Sequence, residues 1–299
     1  MSDYIRQHAV KIDYKLGESW IILNEIEQSI KKKIESVGTP LKDWNISINY
    51  GIKTGLNEAF IISKEKRDEL IKTDPKSAEI IRPILRGRDI KRNEIDFQDK
   101  YLIALFPSRN YDIELFPAIK DWLINGDWVT TKTKKNPPTP IGSGKLRLEQ
   151  SGKEHVFKGV RFKSRKKTTN KWFETQDSIK YWDDFNKPKI LYSEIVTQPQ
   201  FYLDATGNFV PEATSFVITG LNLDILIKYL NSRVVSWIFK SYYAGGGLGN
   251  GFRYKKAFIE HLCIPQTLLQ ETLDTKIENE ILLIYGFDEN ERNYITSRI

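Results

Sequence analysis

Lys163, Arg165, Lys166, Lys167 and Lys171 stand within nine residues of one another, directly before Trp172 and Phe173. Closely spaced cations neutralise phosphates, and neighbouring aromatic and amide side chains stack on bases or bond to their edges. The chemistry available to this segment is therefore the gripping of a polyanion. The cationic run extends upstream through Lys132, Lys134, Lys135, Lys145 and Arg147. Residues 130–171 hold 13 Lys and Arg against two acids, Glu149 and Glu154, whereas the whole chain has a net charge of only +7. The positive charge is thus concentrated in one stretch. A solvated charged loop is the plainer alternative, but a nearly single sign beside Trp172, Phe173 and Tyr181 favours a nucleic-acid face.

A second cationic group, Arg253, Lys255 and Lys256, follows the glycine-rich run "SYYAGGGLGNGFRYKK" at 241–256. Glycine amides can line an anion-binding nest. A dinucleotide loop is excluded, because it needs a strand before the glycines and a helix after them, and here a helical pattern precedes. A helix C-cap with a connector and a DNA-facing loop both remain open. "NPPT" at 136–139 resembles the N/D-P-P-aromatic tetrad that holds a flipped base, yet Thr139 is not aromatic, so a proline turn is the better reading. Glu194 is an isolated carboxylate for a magnesium-dependent nuclease, and His8, His155 and His261 are too scattered for a ligand set. One cysteine, Cys263, leaves neither a disulfide nor a zinc cluster and reads as a buried small residue. The expectation is a chain without catalytic residues, cofactor or metal.

The elements that must position these residues follow from periodicity. Trp20, Leu23, Ile26, Ile30, Ile34 and Val37 form a helical stripe, with Ser19 as cap and Gly38 and Pro40 at its end. Residues 44–52 alternate as a strand, and Gly55 and Asn57 provide a turn before a second strand. Ser63 caps a charged helix broken at Asp74 and Pro75, 78–87 gives a further helical turn or two, 100–107 is a buried strand, and a helix from Pro117 ends at Asn125 and Gly126. Periodicity vanishes from 127 to about 170, where an irregular loop is expected. Residues 187–195, 201–204 and 214–219 predict an antiparallel meander. Residues 222–243 predict a five-turn helix stopping at the glycines 245–247, and 268–285 a last helix striped by Leu269, Leu273, Ile277, Ile281 and Ile284. The class is α+β, with a flanking helix at 1–42, a recognition region at 43–220 carrying the basic loop 130–171, and a helical region at 221–299. The stripes at 20–37 and 268–284 should dock on each other or on a catalytic subunit. No run reaches the roughly 20 apolar residues a bilayer span requires, and the N-terminus carries no signal-peptide pattern, so a cytoplasmic, non-membrane protein is expected.

Four segments in order, "GIKTGLNEAFII" at 51–62, "ILRGRDIKR" at 84–92, "KWFETQDSIKYWDDFNKPKILYSEI" at 171–195, and "YLNSRVVSWIFK" at 229–240 continuing into "GFRYKKAFIEHLCIP" at 251–265, resemble the C-terminal specificity domain of Type IIG restriction-modification enzymes and adenine-specific DNA methyltransferases, the Taq-like specificity family. The resemblance implies sequence-specific recognition of double-stranded DNA by an α+β module whose flanking helices meet a methyltransferase or nuclease domain or subunit. It places Lys53, Thr54 and Asn57, the stretch 86–88, and Lys171, Trp172 and Gln176 on the DNA side, and Gly51, Gly55, Phe60, Gly87, Pro188 and Tyr192 in turns or core. The family's methyl-donor and target-base motifs do not occur in this chain, so S-adenosylmethionine and Mg2+ would belong to the catalytic parts and this chain would not catalyse alone. A magnesium-dependent nuclease and an RNA-binding or interaction protein are the competing readings.

Overall fold

Strands whose consecutive positions are all apolar persist only where both faces of their sheet are covered, and residues 190–192 and 216–218 read that way. The computed structural model describes residues 23–133, 136–244, 251–270 and 274–299. In chain order its elements are α1 (Glu25–Val37), β1 (Thr39–Pro40), β2 (Ile46–Tyr50), α2 (Asn57–Phe60), β3 (Ile61–Ser63), α3 (Lys64–Thr73), β4 (Ile81–Leu85), β5 (Lys100–Ile103), α4 (Pro117–Asn125), α5 (Gly144–Leu148), β6 (Glu154–Phe157), β7 (Val160–Lys163), β8 (Lys189–Ser193), β9 (Ile195–Val196), β10 (Phe201–Asp204), β11 (Val210–Pro211), β12 (Ser215–Gly220), α6 (Leu223–Leu230), α7 (Arg233–Tyr242), β13 (Phe252–Arg253), α8 (Lys256–Ile259), β14 (Cys263–Ile264), α9 (Asp274–Ile284) and α10 (Glu289–Thr296).

A four-stranded antiparallel sheet ordered β10-β8-β12-β2 lies between two cores. Ile190 and Tyr192, opposite Ile218 and Phe216, join Ile48 and Phe201 in the core built with α1, α6, α7, α9 and α10. Leu191 and Val217, the residues between them, point into a second core with the sheet β11-β4-β5-β3, α4, Trp128, Phe173 and Trp182. One sheet thus serves both cores through its period of two. The architecture is α+β. No helix of the described residues is long and apolar enough to cross a membrane.

Inside this sheet the register pairs Lys189 with Asp204, both buried, with Nζ 2.6 Å from the carboxylate. Lys189 also donates to the carbonyl of Phe185 at 2.8 Å, and Asp204 accepts from the amides of Asn208 and Phe209 in the following turn. Burial pushes the lysine down. For Asp204 burial acts upward, but the Lys189 ammonium and those amides outweigh it and hold the carboxyl below its ordinary value. A depressed carboxyl stabilises the fold above its unfolded pKa, and that contribution disappears as pH falls through the folded one. Urea titrations should therefore show stability declining below pH 3.8, and Asp204→Asn, which weakens bonds to a charged group, should cost about 1.5 kcal/mol at neutral pH and flatten the acid limb. An unchanged acid limb in the variant would refute the assignment.

Ser63 caps α3 by accepting from the amide of Lys66, and α4 begins and ends where its proline and glycine predict. Elsewhere tertiary contacts redirected the chain. The stretch after Pro75 is a 3-10 turn, Pro75–Ile80, leading into β4 rather than a helix, because Ile81, Ile84 and Leu85 reach the core only from an extended backbone paired with β5 and β11. The five-turn helix divides into α6 and α7. Asn231 leaves the helix to bond the backbone of Phe201 through both side-chain atoms, Ser232 caps α7, and Glu278 of α9 accepts from Ser232 Oγ and the amides of Arg233 and Val234. The expected meander is reordered, with β8 between β10 and β12.

Asn57 opens the one-turn helix α2, which leads directly into the expected second strand, β3. The described part of the first helix starts at Glu25, with Asn24 and Glu27 forming a capping box; Ser19 and Trp20, like His8, Gly245, Gly246, Gly247 and Leu273, lie outside the described residues. The stripes of α1 and α9 share one core, Ile30 and Ile34 with Ile277 and Ile281, and α1 is also fastened to α10, which the sequence reading missed, by Ser29 to Glu291 at 2.6 Å. Cys263 is buried in β14, as its setting predicts.

Candidate nucleic-acid interface

The basic stretch, expected to be irregular throughout, holds regular elements between irregular segments. Asp127–Thr130 form a 3-10 turn, Gly144 opens α5 because any Cβ there would collide with the carbonyl of Leu123, and β6 and β7 form a hairpin. Arg165, expected to grip phosphate, is only 7% exposed. Its guanidinium donates to four carbonyls: Leu148 at 2.9 Å, Thr54 at 3.0 Å, and Trp172 and Glu174 at 2.8 Å each. Burial pushes its pKa down to about 9, with Glu174 opposing, so the group is still charged at neutral pH. One side chain thus gathers the 51–57 motif, α5 and the 171–177 motif into a knot.

Around it, Gln176 and Asp177 donate their amides to the carbonyls of Thr54 and Lys53, and Gln150 and Asn170 bond the backbone of 171–176. Gly55, at φ +82°, takes the left-handed turn beside Gln176 and Arg165, as its glycine predicts.

Arg147 is the second correction. It is buried, its pKa lowered by desolvation, and it donates to the carbonyl of Lys163 at 2.7 Å and to Asn136 Oδ1. Thr54 is also buried, with Oγ1 facing Asn57 Oδ1 and accepting from the amide of Leu56, and so presents nothing to a ligand. In the 84–92 motif Arg86 donates to the Asp89 carboxylate through Nε and Nη2, at 2.9 and 3.0 Å, while Arg88 extends outward with 73% of its side chain exposed. Gly87 fits against Ser193 and Thr214 as a packing glycine. Thr139 is buried, and its amide and hydroxyl both donate to the carbonyl of Val129, so it is not open to a flipped base.

Of the cations expected to grip phosphate in this stretch, the lysines are the ones left at the surface. Lys53, Lys132, Lys145, Lys163, Lys166, Lys167 and Lys171 are exposed, as is Asn57, while Lys134 and Lys135 fall outside the described residues. Lys145 Nζ lies 5.8 Å from the half-buried Trp172 ring, and Lys171 donates to Asn110 Oδ1 at 2.8 Å. Two of these seven lysines, Lys145 and Lys171, are thus held beside a neighbouring side chain.

The second cationic group sits elsewhere on the fold. Arg253 in β13 lies 3.9 Å from Glu194, Lys255 Nζ is 5.9 Å from the Phe258 ring, and Lys256 opens α8. Glu194, the nuclease candidate, thus faces an arginine, and no group of three or more metal-capable side chains occurs among the described residues. Sequence reasoning also passed over the hairpin. The alternation of "EHVF" and "VRFK" about Lys158 and Gly159 was its signal, masked by the surrounding charge.

The arrangement is an α+β scaffold displaying lysines over an arginine-tied frame. Residues 139–256 match the family described as the TaqI-like C-terminal specificity domain, so the family resemblance holds over that segment. Among solved structures the chain is similar to the Type IIL restriction-modification enzyme MmeI, determined in complex with DNA, at 14% identity and a TM-score of 0.48 over 87% of this chain and 36% of that one. It is similar also to the type IIG restriction endonuclease BpuSI, at 12% identity and a TM-score of 0.44 over 88% and 28%. This chain thus spans about a third of the length of those proteins. No curated protein matches it.

Proposed function

We propose that this chain is the DNA-recognition module of a restriction-modification or phage-defence methyltransferase system, and that it performs no chemistry alone. The observation that carries the reading is the division of labour in the segment matching the specificity family: Arg147 and Arg165 are buried as structural ties, while Lys145, Lys163, Lys166, Lys167 and Lys171 are left to solvent. Lysines held on a rigid frame suit phosphates, which position a protein on the duplex, and Asn57, Gln176, Arg88 and Trp172 supply side chains able to meet bases or sugars. Lys53 and Lys132 are two further exposed cations for phosphate, and Arg253, Lys255 and Lys256 form a second group for the backbone. The partner beyond DNA is a methyltransferase or nuclease domain or subunit, to which S-adenosylmethionine and Mg2+ belong, and its compartment is the cytoplasm, where that DNA lies.

Fluorescence anisotropy with a labelled duplex tests this reading. If five lysines each neutralise a phosphate, log affinity should fall linearly with log salt at a slope of about −4.5, and unlabelled duplex should compete better than single-stranded RNA. No binding in dilute buffer, or preference for the RNA, sinks it. Methyl transfer from labelled donor, or Mg2+-dependent cleavage by the purified chain, would overturn its non-catalytic part.

A further inference from the structure

The hairpin β6–β7 projects a face that its fold leaves uncovered. Its two-residue loop, Lys158 at φ +47° and Gly159 at φ +80°, is the tight left-handed turn that matches strand twist, so the tip is only two strands wide. Alternation separates its side chains. On the inner face Phe162 is buried beside Arg147, Phe157 meets Gly142 and His155 Nε2 lies 3.3 Å from the Glu149 carboxylate. On the outer face the register sets Val156 directly opposite Arg161, beside Glu154 opposite Lys163. Val156 is 63% exposed and the Arg161 side chain 74% exposed.

The base of this ribbon is fixed. Arg147 bonds the carbonyl of Lys163, the Ser164 amide donates to the carbonyl of Lys153, and the Gly152 amide donates to that of Arg165, which joins the ribbon to the arginine knot.

We infer that this ribbon enters the major groove of duplex DNA and reads base pairs through Val156 and Arg161. The inference rests on the DNA-recognition reading and names the residues that supply its specificity. A two-stranded ribbon fits a groove about 12 Å wide, and the outer face combines the groups that groove distinguishes. Arg161 can donate two of its N–H groups to guanine O6 and N7, the Val156 methyls meet the thymine methyl, and the Glu154 carboxylate accepts from the cytosine amine. The 3.5 Å contact between Arg161 and Glu154 is between exposed groups and yields readily to a base. Charge complementarity favours this occupant: Lys153, Lys158 and Lys163 flank the reading pair, with Lys166 and Lys167 just beyond.

The test is selection of binding sequences from randomised duplexes by the full 299-residue chain and by the Arg161→Gln and Val156→Ala variants, followed by dimethyl sulfate protection of the selected site. The wild type should enrich a motif and protect guanine N7 within it. Arg161→Gln should lose discrimination at one guanine by about tenfold and expose that N7, while its affinity for unselected duplex changes by only the few-fold expected of one lost charge. Val156→Ala should relax a position occupied by thymine. Because both side chains are exposed, the variants should melt with the wild type. Identical motifs from all three proteins, or protection confined to adenine N3 in the minor groove, overturn the ribbon assignment and leave DNA recognition standing. Failure of the wild type to bind duplex overturns both.

Discussion

Arg165→Met lowers the stability of this protein by about 3–5 kcal/mol, the loss expected when one partner of a buried charge network is removed. Methionine roughly fills the volume but donates nothing, and the carbonyls of Thr54, Leu148, Trp172 and Glu174 lose the donor that joins them. Thr54 and Glu174 keep the Gln176 amide and Gln150 Nε2, whereas the carbonyls of Leu148 and Trp172 lose the donor given by Arg165. A buried acceptor left unpaired costs about 1–3 kcal/mol before relaxation and water recover a part. The Glu174 carboxylate, 4% exposed, loses its neighbouring cation as well and keeps the Lys171 amide. Arg165→Lys should fall between, since an ammonium restores the charge but cannot span four carbonyls in a plane. The urea midpoint is the measurement, and a midpoint equal to that of the wild type would show that the knot is dispensable.

Lys166→Gln combined with Lys167→Gln gives the opposite pattern. Both side chains are exposed, so the melting midpoint should not move. If each lysine contacts a phosphate, the salt slope should flatten by about 1.8, and affinity at 0.15 M salt should drop roughly 30-fold, uniformly across DNA sequences. An unchanged slope would mean that these lysines face solvent in the complex. If the slope does flatten, three neighbouring cations divide into one that holds the fold and two that hold the ligand, and two assays, melting and salt-dependent binding, separate them.

Local signals carried much of the architecture. Pro117, Asn125 and Gly126 bound α4, Ser63 caps α3, and the apolar runs 101–103, 190–192 and 216–218 are buried strand segments because their composition tolerates no solvent on either face. Local signals failed where a distant residue competed for the backbone. Asn231 and Ser232 interrupt a continuous helical stripe because Phe201 and Glu278 offer their polar atoms buried partners. Residues 144–163 show no long periodicity because a five-residue helix and a four-residue hairpin strand are too short to display one. The order of β8, β10 and β12 is likewise set by which faces two cores must cover, not by sequence adjacency.

The amino-acid sequence by itself determined that this is an α+β chain with its positive charge gathered into one stretch and a resemblance to a specificity domain, because composition, periodicity and motif order are local properties. Only the tertiary structure decided which cations are available. Arg147 and Arg165 are the same residue type as Arg161, yet the first two are desolvated by carbonyls brought from residues far along the chain, while Arg161 stands on the outer face of a ribbon. A guanidinium left in water can bind a phosphate or a base, and one already holding buried carbonyls cannot, since releasing them would leave those acceptors unpaired.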